Sequence, residues 1–268
     1  MKSLIILFIF IIGILSSQPM PGYTLFSPMP GQGQQINTHS TYLINNDLEI
    51  ENQWIQDCRV ASIAYLQADS TLIMPCNQNI SGMQGGPAGG RIKKLTWDNE
   101  VIYDFIYANE NMQPHHDIEP MPNGNILSVA FERKTNQEAL DAGRENINGE
   151  IWPEIILELE PVGIDSFIVV WEWHLWDHII QDIDTDKPNF GVISEHPELL
   201  NINLGNVGGA NNSGDWVHAN AIHFNPQLNQ IVISCRKLNE FLIIDHSTTT
   251  EQASGHNGGF HGKGGDII

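Results

Sequence analysis

An all-β fold built from short antiparallel sheets is what this chain predicts, and three observations carry the prediction. Short apolar runs alternate with polar turn clusters along most of its length. One strand–turn–strand unit recurs. The 268 residues, 41% of them apolar, suffice to bury the core of one large all-β domain.

Taken in order, Lys2, an apolar run from Leu4 to Leu15 and then Ser16, Ser17 and Gln18 have the layout of a secretory signal peptide. Residues 1–18 are therefore expected to be removed, leaving 19–268 as the folded part without a membrane anchor. The apolar stretch is too short to span a bilayer. Ile63–Met74 then reads as a hairpin turning at Gln67–Ser70, and the same frame returns in Ile118–Val129 and Ile222–Ser234. A second hairpin type, rich in aromatics, covers Tyr42–Trp54, Ile92–Tyr107 and Ile155–Trp173, with a last copy starting at Phe241. Two hairpins per unit make a four-stranded sheet, and a spacing of roughly 50 residues is that of a β-propeller. The chain supplies about four blades of one. Two long insertions interrupt it, Glu132–Gly149, partly helical over Glu138–Gly143, and Leu175–Gly214. The chain stops at Gly264-Gly265-Asp266-Ile267-Ile268 as an apolar strand begins, which suggests a C-terminally truncated propeller.

Composition narrows the function. With 32 acidic and 12 basic side chains the formal charge is -20, which argues against nucleic acid, whose phosphates are held by clustered Lys and Arg. An anionic ligand must rely on a few placed cations and N–H groups. Three cysteines do not make a disulfide scaffold, although Cys58 and Cys76 face each other across the first hairpin and export would permit their pairing.

Aligning the hairpins by their turns puts His115 in register with His218, with Val60 at the same place in the first unit. These positions open the innermost strand of a blade, so both imidazoles are expected to converge. Asn220 shares a strand face with His218, and Arg236 lies at the far end of the partner strand. By strand alternation His116 points to the other face.

The segment Asp215-Trp216-Val217-His218-Ala219-Asn220, with Arg236 eighteen residues after His218, resembles the central signature of the aryl-sulfate sulfotransferases of bacteria and archaea. His115-His116-Asp117 followed by Pro122-Asn123-Gly124-Asn125, Trp171–His174 and Asp245–Thr249 are similar to that family too. The resemblance implies a periplasmic or secreted six-bladed propeller. It would move a sulfuryl group from an aryl sulfate donor to a phenolic acceptor, without a cofactor or metal, through a transiently sulfated histidine. His115, His218, Asn220 and Arg236 would stabilise the sulfuryl oxygens, and His116 and Trp216 would touch the substrate. The nucleophile of the family sits in a Gly-Gln-His segment of a later blade, which is expected beyond Ile268; the piece ending there is expected to be inactive alone.

Two other classes compete. A propeller without the nucleophile would be a binding module. A metal-dependent hydrolase would use His174, Asp177 and His178, whose spacing places both imidazoles on one helical face. His246, His256 and His261 fall in a Gly-, Ser- and Thr-rich stretch and read as turn or solvent residues. Gly85-Gly86 through Gly89-Gly90 reads as a flexible loop, because a phosphate cradle needs a following Lys-Ser/Thr and helix.

Overall fold

Turn chemistry sets the strand pattern. The expected hairpins close on residues that accept a left-handed backbone, Ser70 (φ 66°), Asn99 (φ 67°), Gly124 (φ 91°) and Asn229 (φ 50°). Asn45, Asn123 and Asn225 brace such turns with side-chain oxygens that accept backbone N–H groups two to four residues on. The computed structural model describes residues 20–29, 38–207 and 214–268; the expected signal peptide at 1–18 lies outside the described residues.

Four antiparallel sheets follow one another among the described residues. The first holds β1 (Thr24–Phe26), β2 (His39–Ile44) and β3 (Ile50–Gln56). The second is β4 (Tyr65–Leu66), β5 (Leu72–Asn77), β6 (Gly90–Leu95) and β7 (Val101–Ile106). The third is β8 (Met112–Pro120), β9 (Ile126–Glu132), β10 (Glu154–Val162) and β11 (Ser166–His174). A two-stranded parallel pair, β12 (Ile179–Ile180) and β13 (Leu200–Asn201), lies in the second insertion. The fourth sheet is β14 (Ala219–Asn225), β15 (Gln230–Cys235) and β16 (Glu240–Asp245). The fold is thus all-β, and among the described residues no sheet closes on itself.

Burial follows position in the sheet. In β9 six of seven residues are buried, as a strand covered on both faces requires, whereas β11 exposes Ile168, Val169 and Val170. One apolar cluster joins Leu127, Val129 and Trp173 of the third sheet to Ile222, Ile231 and Ile244 of the fourth. A second joins Ile73, Ile92 and Phe105 to Ile118 and Leu157, and so binds the second sheet to the third. The buried indoles also need acceptors for their N–H groups: Trp54 finds Thr96 O at 2.9 Å and Trp173 finds Gly265 O at 2.6 Å.

The first insertion carries α1 (Asn136–Asp141), opened by a capping box of Thr135 and Glu138. A second short helix, α2 (Thr250–Ala253), follows β16 with the same device from Thr249 and Gln252. Cys58 and Cys76 are joined in a disulfide, and Cys235 is buried and free. Among the described residues no helix is long and apolar enough to cross a membrane.

Candidate functional site

Two strand entrances build the site. At the start of β8 the ladder to β9 slips between Pro114 and Ile118, and His116 adopts a left-handed backbone with φ 55°. His218, just before β14, does the same with φ 59°. A positive φ is costly for a residue with a Cβ, and here it turns both rings into one space. Their centroids lie 4.7 Å apart. The expected strand alternation at His116 therefore fails: the slip puts it with His115 and His218, and the residue that shares the backbone state of His218 is His116, not His115.

His115 has the more interior place. It is buried, stacks on Phe131 at 3.7 Å, and sits 2.9 Å from Glu154 Oε2 and 2.9 Å from His116 Nδ1. Burial, aided by the charge of His218, pushes its pKa down to about 3. Burial pushes that of Glu154 well above the ordinary carboxylate range, against the N–H that Ala219 donates to Oε1 at 2.7 Å. Both shifts put the one titratable proton of the pair on the carboxyl. Glu154 then donates to His115 Nε2, His115 donates from Nδ1 to His116 Nδ1, and His116 carries its hydrogen on Nε2. Burial, then His115 and His218, with Arg236 acting in the same sense, hold His116 at about 3, so that ring is neutral.

His218 is backed differently. Its Nδ1 donates to Asp215 Oδ2 at 2.8 Å, and Lys237 Nζ lies 3.1 Å from the same oxygen. Burial alone would raise Asp215, but the hydrogen bond from His218 and the charge of Lys237 overcome it and hold the carboxylate below its usual range. The imidazole is thereby oriented and any positive charge it takes up is compensated.

Two inter-sheet staples hold these groups. Asp117 accepts from Tyr65 Oη at 2.5 Å and from the N–H of Ile222 at 3.3 Å, which ties β4, β8 and β14 together. Glu154 does the same for β8, β10 and β14. The glycine loop expected to be loose packs on the site. His116 donates its backbone N–H to Pro87 O at 3.0 Å, and a Cβ at Gly86 (φ 138°) would fall 2.1 Å from the His116 ring. Only glycine lets the chain pass there.

Arg236 pairs its backbone N–H with His218 O at 3.0 Å, which fixes it beside the histidines. Its side chain is exposed and forms no ion pair among the described residues. Asn220 is exposed at a slip in the β14–β15 ladder and shares an open depression with Ser234, Arg236, Glu240 and Phe241. Trp216 is elsewhere. It is fully buried in the core and donates Nε1–H to Leu204 O at 2.8 Å, so the expected substrate contact is corrected to a packing residue.

The helical His174–Asp177–His178 cluster does not form. The segment is a 3-10 turn in which His174 faces Glu132 at 3.3 Å while His178 turns inward to Asp266 at 2.8 Å. Burial would lower the pKa of His174, but Glu132 wins and raises it. His246 is not solvated either: it bonds Asn229 and Glu158 and packs on Trp171 and Phe224.

Glu154, Asp215 and Asp117 are site-building residues that the histidine alignment passes over. Asp215 and Asp117 had a signal, one residue from the motif histidines or three. Glu154 had none, since it opens an apolar strand far from them in sequence.

No curated protein matches the chain. The family model described as arylsulfotransferase (ASST) matches residues 89–263, a span that takes in the three histidines, Glu154, Asp215 and Arg236. With more than half of its length in that match, the chain belongs to the arylsulfotransferase family.

Proposed function

We propose that the protein transfers a sulfuryl group from an aryl sulfate to a phenol, and that His116, His218, Asn220 and Arg236 receive the sulfate end of the donor. The observation that carries this reading is an arginine without a carboxylate partner among the described residues, beside two facing imidazoles, in a chain of formal charge -20. Where acids are in such excess, a guanidinium left open is suited to an anion that arrives from outside. Its two parallel N–H groups match two sulfate oxygens, and the neutral His116 adds a third donor from Nε2.

In this reading a histidine nitrogen attacks sulfur as the sulfur–oxygen bond to the aryl group breaks, and the phenolate leaves with the electron pair. The acceptor phenol then gives up its proton, attacks the sulfur and displaces the histidine, which regains its lone pair. His218 takes that proton, since Asp215 behind it offsets the charge of the resulting imidazolium. The transferring group keeps its negative charge throughout, so fixed donors stabilise the charge that shifts toward the leaving oxygen. The nucleophile in this reading is the histidine of the Gly-Gln-His segment that the family resemblance implies. His115 acts through His116 by fixing its tautomer.

The sheets, each a meander next to the one before it in sequence, are read as blades of a propeller whose inner strand entrances carry the site. The Cys58–Cys76 disulfide suits an exported protein in an oxidising compartment, periplasmic or secreted.

The test uses the complete gene product with an aryl sulfate and a phenol, following release of the donor phenol and sulfation of the acceptor. Transfer with a sulfated histidine trapped on rapid quenching supports the reading. Sulfate release without an acceptor would make the protein a hydrolase, and no turnover together with saturable donor binding would make it a binding module.

A further inference from the structure

A second histidine cluster lies away from the sulfate site, where the 3-10 turn after β11 meets α2 and the glycine-rich segment that follows it. Gly264 has φ 63°, and a Cβ on Gly265 would fall 2.0 Å from Ala253 O and 2.7 Å from His178 Nε2. Two glycines therefore let the chain pass over His178 and deliver Asp266 to its other edge. Trp173 fixes the arrangement from below: its ring stacks on His178 at 5.5 Å with an interplanar angle of 4°, and its Nε1–H holds Gly265 O at 2.6 Å.

The tautomer of His178 follows from its partners. Ala253 O, 2.8 Å from Nε2, is an acceptor only, so Nε2 carries the hydrogen and Nδ1 presents its lone pair to Asp266 Oδ1 at 2.8 Å. His256 Nδ1 approaches that same oxygen at 2.7 Å. The lone pairs of Asp266 Oδ1 and His178 Nδ1 therefore meet, and a cation among the three atoms satisfies them, with His256 able to keep its hydrogen on Nε2 and turn its Nδ1 lone pair to the same ion. The three ligand atoms lie within 4.8 Å of one another, the span of a single metal's coordination shell. An imidazole that donates its distal N–H to a backbone carbonyl is also the usual outer support of a metal-binding histidine.

We propose that His178 Nδ1, His256 Nδ1 and Asp266 bind a zinc ion. The two-imidazole, one-carboxylate set suits zinc over magnesium or calcium, which take oxygen ligands. Access comes from the side of His256, whose half-exposed ring lines a cavity of ≈ 370 Å³ with Trp176, Asp177 and His196. The ion would pin α2 and the 255–266 segment to the turn after β11.

The complete protein, stripped with a chelator and titrated with Zn²⁺ by calorimetry, tests this. One equivalent is expected to bind, and Co²⁺ in its place to give the intense visible bands of a tetrahedral site. Outer-shell partners alone are worth about 10–100-fold in metal affinity, so His256→Ala, at a position open enough to keep the fold, is expected to weaken binding by at least that factor. Asp266→Asn is expected to do the same, with loss of the zinc-induced rise in melting temperature. No saturable binding would overturn the proposal and leave a hydrogen-bonded imidazolium latch. Binding of unchanged affinity in both variants would overturn it too, and assign the ion to the acidic surface.

Discussion

At the entrances of β8 and β14 each buried or oriented imidazole has its own carboxylate: His115 rests on Glu154 and His218 on Asp215. Beyond α2, two imidazoles share a single oxygen of Asp266. Histidines with carboxyl groups therefore make opposite sites. In the first, the carboxylates stand behind the rings, so His116 Nε2–H and the Arg236 guanidinium are left to offer N–H donors and suit an anion. In the second, the carboxylate sits between the rings, the lone pairs of Asp266 and His178 Nδ1 meet, and a cation satisfies them. What distinguishes them is where the carboxylate stands relative to the rings, not how many histidines gather.

The largest effect expected is on the cation of the first site. Arg236→Ala should lower kcat/KM for transfer by about 10²–10³, the usual range for losing one charge-stabilising donor. Arg236→Lys should recover only part of it, since an ammonium does not span two oxygens. A steady-state assay with varied donor measures both.

Next comes the carboxyl that supports the histidines from behind. Glu154→Ala leaves His115 and the Ala219 N–H without partners in a buried place, and should cost about 2–4 kcal/mol in urea unfolding. Because Glu154 is read as protonated, Glu154→Gln keeps one donor and one acceptor and should stay within about 1 kcal/mol of the parent protein. A Gln variant as damaged as the Ala variant would show that the carboxyl is ionised.

The hairpins were legible because their information is local: apolar alternation and a turn residue such as Asn99, Gly124 or Asn229 lie within a few positions of each other. The convergence of β8 and β14 was legible too, because the turns could be aligned. Which histidine faces which was not. That depends on a slip in the β8–β9 ladder and a left-handed backbone at His116, which no strand alternation contains. Trp216 misled because it stands inside the motif, while its indole N–H reaches Leu204 and the ring fills the core. Glu154 looks like an ordinary polar start to an apolar strand, and Gly86 like slack, until the ring of His116 is seen against it. The pairing of His178 with Asp266 spans 88 residues, and its local trace is the Gly264-Gly265 pair before the aspartate.

Proton linkage sharpens the contrast. His115 and His116 have folded pKa values of about 3, below the unfolded value near 6.5. From pH 6.5 down to 3 the unfolded chain binds protons that the folded chain refuses, so these groups make stability fall as pH falls. Asp215, held low, adds loss in the same direction at acid pH, whereas Glu154, held high, acts in the opposite sense. His116→Gln should flatten the decline between pH 6.5 and 4, as read from denaturation midpoints across that range.

The smallest effect belongs to Asn220. Exposed and uncharged, it offers one neutral hydrogen bond, and Asn220→Ala should raise KM for the donor by about fivefold, the equivalent of about 1 kcal/mol. A loss as large as that of Arg236→Ala would move the centre of the site into the depression between Asn220 and Phe241.

The central claim is that the open guanidinium beside the paired imidazoles holds the group being transferred. Its most direct test is rapid-quench mass spectrometry of the complete protein mixed with an aryl sulfate alone, comparing the parent with Arg236→Ala and His218→Ala. The account predicts a sulfated histidine in the parent that disappears when a phenol is added, slow formation of that adduct in Arg236→Ala, and slow discharge by phenol in His218→Ala. Equal formation and equal discharge in all three proteins would contradict it.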